Sequence, residues 1–131
     1  CLIGVRSYEA GEAALLHRLG VRVFDMDEVR RRGLAAVFDA ALAIARRGTA
    51  GFGVSVDLDA LDPAEEPGVG TPVPGGLGCH ELATALSHLR GDPAFVAMEI
   101  VEYNPRRDRG RATADAAGAL LDAVTPLPRD G

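Results

Sequence analysis

The chain has 131 residues, of which 47% are hydrophobic and 25% are charged, and its formal net charge is −5. At roughly 100–200 residues per domain, this length predicts one domain or part of one. The apolar content excludes wholesale disorder, and no uncharged apolar run reaches the roughly 18 residues of a membrane span. Two cysteines are too few for a disulfide framework, so we expect a reducing compartment, the cytoplasm. The acidic balance argues against a nucleic-acid partner.

The first residue is Cys1 rather than Met, and residues 2–5 already have the apolar pattern of a strand. No signal-peptide pattern precedes them. We therefore expect an N-terminally incomplete chain, and we expect residues 1–131 to form part of a single domain.

Predicted strands and helices alternate along the chain. Short apolar runs predict strands over residues 1–5, 21–24, 52–57 and 95–101. Apolar residues at helical spacing predict helices over residues 11–19, 26–47, 81–90 and 113–124. The second of these is either one long helix or two helices separated at Gly33. Residues 59–78 are rich in Gly and Pro, which predicts a loop.

This alternation is typical of parallel βαβ units with right-handed crossovers, so the predicted fold class is α/β. A parallel sheet needs helices on both of its faces. The four predicted strands have too few helices to form a complete, covered sheet. They therefore predict half of a larger sheet, with one edge exposed. Such an edge fits an incomplete domain, or a domain whose edge is covered by another chain.

Polar residues follow each predicted strand, at the place where ligands bind in open α/β sheets. We therefore expect the functional site at this edge of the sheet. The residues concerned are Arg6, Glu9, Glu12, Asp25, Asp27, Asp57, Asp59, Glu102 and Asn104.

The sharpest motif is Ser-Val-Asp-Leu-Asp-Ala-Leu-Asp-Pro at residues 55–63. If the strand continues through it, Asp57 and Asp59 share one face and lie about 7 Å apart. Hard oxygen donors at this spacing suit Mg²⁺ or Mn²⁺. The alternative is that one aspartate caps a helix and the other is solvated. The spacing alone leaves both interpretations open.

Two further segments have a functional and a structural interpretation. Residues 67–77 form a Gly/Pro-rich loop that is either a rigid wall beside a ligand or a plain structural loop, and it is not a Walker loop. Glu102 follows the last predicted strand, where its carboxylate either is solvated or pairs with a planar cation such as a guanidinium.

Together these segments resemble the signatures of the ureohydrolase family, which contains arginase, agmatinase and guanidinobutyrase. The long motif at residues 55–63 continues as Pro-Gly-Val-Gly-Thr-Pro-Val-Pro-Gly-Gly-Leu at residues 67–77, and Val-Glu-Tyr-Asn-Pro at residues 101–105 resembles the second signature. Residues 3–12 and 19–24 resemble arginases more than agmatinases. The resemblance extends over essentially the whole chain.

The resemblance implies a three-layer α/β/α fold around a mostly parallel sheet, of which residues 1–131 would be the C-terminal portion. It also implies trimers or hexamers, and two Mn²⁺ ions that activate a hydroxide to hydrolyse a guanidino group to an amine and urea. By the match, Asp57 bridges both ions and Asp59 binds one. Glu102 contacts the guanidinium, and Thr71 lies beside the substrate.

The match also places Glu9 and Glu12 at acidic positions near the α-amino end of the substrate, which favours L-arginine. Agmatine and 4-guanidinobutyrate stay open as substrates. The family's other metal ligands, a histidine and an Asp-Ala-His-x-Asp motif, do not occur in this sequence, and His17, His80 and His88 match no ligand position. We therefore expect the chain to be inactive alone. A non-catalytic half-domain that binds a partner is the alternative.

Arginines cluster at residues 30–32 and again at residues 106–111. Because only 5% of the residues are aromatic, platforms on which bases could stack are scarce. We expect solvated surface at both clusters, or a subunit interface at the second, rather than contacts to nucleic acid.

Overall fold

The computed structural model describes residues 1–125. Strands and helices alternate as predicted. In chain order they are β1 (Leu2–Val5), α1 (Ala10–Arg18), β2 (Val23–Asp25), α2 (Met26–Arg32), α3 (Leu34–Ala45), β3 (Phe52–Asp57), a 3₁₀ turn (Leu58–Ala60), α4 (Cys79–Ser87), β4 (Phe95–Val101) and α5 (Ala112–Val124).

The predicted helical stretch 26–47 is two helices that are separated at Gly33. The φ angle of Gly33 is 81°, a left-handed conformation that side chains disfavour. Asp25 begins α2, because its side chain accepts a hydrogen bond from the backbone N–H of Glu28 at 2.7 Å. Local backbone geometry therefore decides between the two alternatives.

Both strand pairs are parallel, which confirms the α/β class. β1 pairs with β2 and β3 pairs with β4. The predicted single half-sheet is wrong in one respect, since the described strands form two separate two-stranded sheets. Hydrogen-bonded strands must lie about 4.8 Å apart, and β1 and β3 instead stand on either side of a cleft.

The helices cover the sheets and supply most of the core. α4 packs against α5, α3 packs against α4 and β1, and α2 packs against β1. The most completely buried side chains come from these elements and from the segments that adjoin them, and they include Val37, Leu58, Leu86, Leu89 and Leu120.

Two observations bear on compartment and membrane. Cys1 and Cys79 are both free thiols. No helix in residues 1–125 is long and apolar enough to cross a bilayer.

Candidate active site

A cleft of about 1020 Å³ separates the two sheets, and we refer to it as the inter-sheet cleft. β1 and β3 line it along their whole lengths, whereas β2 does not line it and β4 contributes only Val101. The strand edges that face the cleft are therefore the edges that lack a partner in the described structure. Its wall also contains apolar residues of α3, among them Phe38 and Leu42.

Arg6 connects the carboxyl ends of β1 and β3. It directly follows β1, and its Nη2 donates hydrogen bonds to the carbonyl oxygens of Asp59 (2.8 Å) and Leu61 (3.1 Å). Its Nε donates to the carbonyl oxygen of Val73 (3.0 Å). One guanidinium thus holds the segment that carries the two aspartates against the Gly/Pro-rich loop.

Asp57 and Asp59 lie beside each other at the end of β3, but not in the way that strand alternation predicts. The strand ends at Asp57, and Asp59 belongs to the 3₁₀ turn. The Asp57 carboxylate accepts a hydrogen bond from the backbone N–H of Asp59 at 2.8 Å, which turns the chain. The strand thus has the predicted range, residues 52–57, and of the two interpretations left open by the motif the capping one applies to Asp57. Asp57 does cap the turn, and it still lies close enough to Asp59 for their charges to interact.

The Asp59 carboxylate lies in an environment that disfavours an isolated negative charge. Burial, followed by the charge of Asp57, raises its pKa, whereas the backbone N–H of Thr71 and the charge of Arg6 act in the opposite direction. Its Oδ1 atom is buried and has no hydrogen-bond partner. A buried carboxylate oxygen without a partner is costly unless a cation meets it.

The Gly/Pro-rich loop closes one side of the cleft. Thr71 and Val73 line the cleft beside Asp57 and Asp59. Gly76 lies so close to Leu61 that an added Cβ would be 2.5 Å from backbone atoms of Leu61. The glycine is therefore required for the two segments to pack, which supports the interpretation of this loop as a rigid wall.

Glu102 lies next to this wall but is not part of the lining of the inter-sheet cleft. Its φ angle of 66° is left-handed, an uncommon conformation for a residue with a side chain. An added Cβ on Gly70 would be 3.4 Å from Glu102 Oε2, so this carboxylate approaches the backbone one residue before Thr71. Local strain of this kind concentrates at functional sites.

Glu9 and Glu12 both contribute to the N-terminus of α1, and only Glu12 lines the cleft. The Glu12 carboxylate accepts a hydrogen bond from the backbone N–H of Glu9 at 2.8 Å, and Glu9 returns the interaction in a capping box. The structure thus brings together Asp57, Asp59, Thr71 and Glu12 at the inter-sheet cleft, whereas Glu9 and Glu102 lie outside its lining.

The two aspartates supply the donor type that Mn²⁺ prefers, and the unpartnered Oδ1 of Asp59 is an atom to which a cation would bind. They do not make a complete site, because no group of three or more His, Cys, Asp or Glu residues within residues 1–125 is placed to hold a metal ion. His17, His80 and His88 are exposed and lie outside the lining of the cleft.

Arg6 is the functional residue whose role the sequence did not reveal. Its position at the end of a predicted strand indicates no particular role. Its carbonyl partners lie 53 to 67 residues further along the chain, and no local spacing encodes such contacts. An arginine directly after a buried strand was the one available signal.

Comparison with known proteins agrees with this geometry. The profile of the arginase family matches residues 1–125. The chain is 42% identical over 123 residues to an arginase of Brevibacillus brevis, a match that covers 94% of this chain and 41% of that protein. An arginase of Bacillus caldovelox is 40% identical over 123 residues, with the same coverage of both proteins.

Two solved structures show the same fold. The arginase from Bacillus caldovelox superposes with a TM-score of 0.88 at 39% identity, over 94% of this chain and 42% of that chain. A formimidoylglutamase from Bacillus subtilis superposes with a TM-score of 0.88 at 29% identity, over 94% of this chain and 39% of that chain.

The parallel strand pairs and the helices that cover them define an α/β protein with the fold of the solved arginases. The chain belongs to the arginase family. It spans about two fifths of the length of the curated relatives that it matches.

Proposed function

We propose that the complete protein hydrolyses a guanidino substrate, L-arginine first among them, to an amine and urea with Mn²⁺ as cofactor. The observation that carries this proposal is the pairing of Asp57 with Asp59, whose buried Oδ1 has no partner, at the mouth of the inter-sheet cleft. The arginases among the relatives support the choice of substrate.

Asp57 and Asp59 are the residues that would hold the metal. Mn²⁺ held there would supply a nucleophile near neutral pH by lowering the pKa of a coordinated water. Glu102 binds the planar guanidinium and orients it towards the aspartates, because a carboxylate matches the two parallel N–H groups of that cation. Thr71 and the rigid loop around it exclude water from that side.

The two aspartates are too few to hold a metal alone, so we propose that the remaining ligands come from a segment that occupies the inter-sheet cleft. The unpaired edges of β1 and β3 both face this cleft, and each offers backbone groups to an added strand. Such a strand would end beside Asp57 and Asp59. Residues 1–131 alone are accordingly expected to be inactive.

The test is urea release by the complete protein loaded with Mn²⁺. Asp57→Asn should lower kcat/KM by more than the roughly 10–100-fold that loss of an outer-shell partner causes. The matched control is Asp39→Asn, which removes the same charge from an exposed position of α3. Equal activity of the two variants would show that Asp57 is not a metal ligand.

A second substrate class has support from the structural comparison, since a formimidoylglutamase superposes as well as an arginase does. The assay should therefore include L-arginine, agmatine, 4-guanidinobutyrate and formimidoylglutamate. We expect the highest kcat/KM with L-arginine, because the relatives at 40–42% identity are arginases. The negative charge of Glu12 in the cleft should favour the two substrates with a free amino group, L-arginine and agmatine, over the other two. We further propose a cytoplasmic homo-oligomer, a trimer or hexamer.

A further inference from the structure

Three arginines that the proposed function does not use surround a second cleft, of about 580 Å³, which we refer to as the arginine cleft. It lies between the loop after β3 and the loop after β4. Its walls combine three prolines with three arginines, namely Pro63, Pro67, Pro72, Arg106, Arg107 and Arg109.

None of these three arginines forms an ion pair within the described part of the chain. Its ion pairs all involve other arginines. Asp108 lies among the three in sequence, but its carboxylate accepts hydrogen bonds from the hydroxyl of Tyr103 (2.9 Å) and from the backbone N–H groups of Thr113 (3.0 Å) and Ala114 (3.0 Å). Its charge is thus directed to the start of α5.

The cleft is held in shape without a ligand. The Asn104 side chain accepts a hydrogen bond from the backbone N–H of Arg106 at 3.2 Å, and the Asn104 N–H donates to the carbonyl oxygen of Gly68 at 2.7 Å. Arg107 Nη1 donates to the carbonyl oxygen of Gly70 at 2.8 Å. The opposite wall consists of prolines, whose φ angles are fixed.

We propose that the arginine cleft binds a small, multiply charged oxyanion, a polycarboxylate or a phosphate compound. Guanidinium groups bind carboxylate and phosphate oxygens through paired, charge-assisted hydrogen bonds. Three of them in one cleft favour an anion with more than one negative charge. We expect binding at this cleft rather than over the rest of the surface, because the 131-residue chain carries a net charge of −5, which disfavours anions elsewhere.

The test is calorimetric titration of the complete protein with citrate and with tripolyphosphate, at constant ionic strength. We expect each anion, when titrated in excess, to saturate one site per chain. The anion that binds more tightly identifies the class of ligand. The double variant Arg106→Ser/Arg109→Ser should bind about tenfold more weakly, because two bidentate contacts are lost. Arg107 is left in place, since it also holds the Gly70 carbonyl.

The matched control is Arg18→Ser/Arg31→Ser, which removes two exposed arginines that lie outside the arginine cleft. Equal weakening in both double variants, the absence of saturable binding, or acetate binding as tightly as citrate would overturn the proposal. A further outcome would also overturn it: the parent binds no anion, and Arg106→Ser/Arg109→Ser has a lower sedimentation coefficient than the parent. That result would show that these arginines form a subunit contact. The titration uses neither Mn²⁺ nor a guanidino substrate, so its result is independent of the proposed function.

Discussion

Arg6 and Asp59 are joined by a hydrogen bond of 2.8 Å from the Arg6 guanidinium to the Asp59 backbone carbonyl oxygen. The same guanidinium also binds the carbonyl oxygens of Leu61 and Val73, so it joins the end of β1 to a loop that lies 53 to 67 residues further along the chain. The position of the Asp59 side chain, and with it the proposed metal site, therefore depends on the hydrogen bonds that Arg6 donates to backbone carbonyl oxygens.

Arg6→Lys tests this arrangement. Lysine keeps the charge but cannot donate in the several fixed directions of a guanidinium. We expect the free energy of unfolding to fall by about 1.5–3 kcal/mol, the contribution of hydrogen bonds to a charged group. Urea denaturation measures it, and Arg18→Lys, at an exposed position of α1, is the control. Equal stability of both variants would contradict the role given to Arg6.

Glu66 makes stability depend on pH. Its side chain is 6% exposed, and Oε2 has no hydrogen-bond partner. Burial, followed by the charges of Glu65 and Asp62, raises its pKa from 4.5 to about 7. Because the folded state binds this proton more tightly than the unfolded state does, stability should decrease as the pH rises from about 4.5 to about 7.

Glu66→Gln should remove that part of the pH dependence. At pH above the raised pKa the variant should be more stable than the parent by about 1–3 kcal/mol, because the neutral amide removes the cost of burying a negative charge beside Glu65 and Asp62. Thermal unfolding over a pH series measures the difference. The control is the exposed Glu99→Gln, and a parallel shift of both curves would show that burial of Glu66 is not the cause.

Gly76 and Gly118 should respond to alanine in opposite directions. A Cβ on Gly76 would meet the backbone of Leu61 at 2.5 Å, so Gly76→Ala should lower the free energy of unfolding by about 1–3 kcal/mol. Gly118 lies within α5 with open space around it, so Gly118→Ala should raise stability by about 1 kcal/mol. Denaturant midpoints of the two variants on the same side of the parent value would contradict this packing.

Thr113 fixes the loop wall to α5. Its hydroxyl, which is fully buried, accepts a hydrogen bond from the backbone N–H of Gly68 at 2.8 Å. Thr113→Val keeps the shape of the side chain and leaves that N–H unpaired, which should cost about 1–3 kcal/mol. Thr49→Val, at an exposed position, should change stability little. Chemical denaturation of both variants decides whether the buried bond matters.

Much of the fold could be predicted because its signals are local. The apolar run of β4 coincides with residues 95–101 as predicted, and a positive φ at Gly33 divides the long helical stretch. The separation into two sheets was missed, because strand neighbours depend on contacts between distant segments. The end of β3 at Asp57 was predicted, but the motif left open whether an aspartate caps a turn there, and the hydrogen bond from the Asp59 N–H to the Asp57 side chain decides this.

The candidate site was predictable only in part for the same reason. Asp57 and Asp59 belong to one short motif, so their proximity follows from the sequence. The partners of Arg6 and the burial of Glu66 arise from how the Gly/Pro-rich loop packs, and neither composition nor spacing encodes that packing. The positions of Glu102 and Glu9 outside the cleft lining depend on the paths of loops in the same way.

The most direct measurement is the initial rate of urea release from L-arginine by the complete protein, with and without added Mn²⁺. We predict urea formation that requires Mn²⁺ and is lost in Asp57→Asn but kept in Asp39→Asn. Absence of urea from the Mn²⁺-loaded, folded protein, with agmatine and 4-guanidinobutyrate as well as with L-arginine, would contradict it.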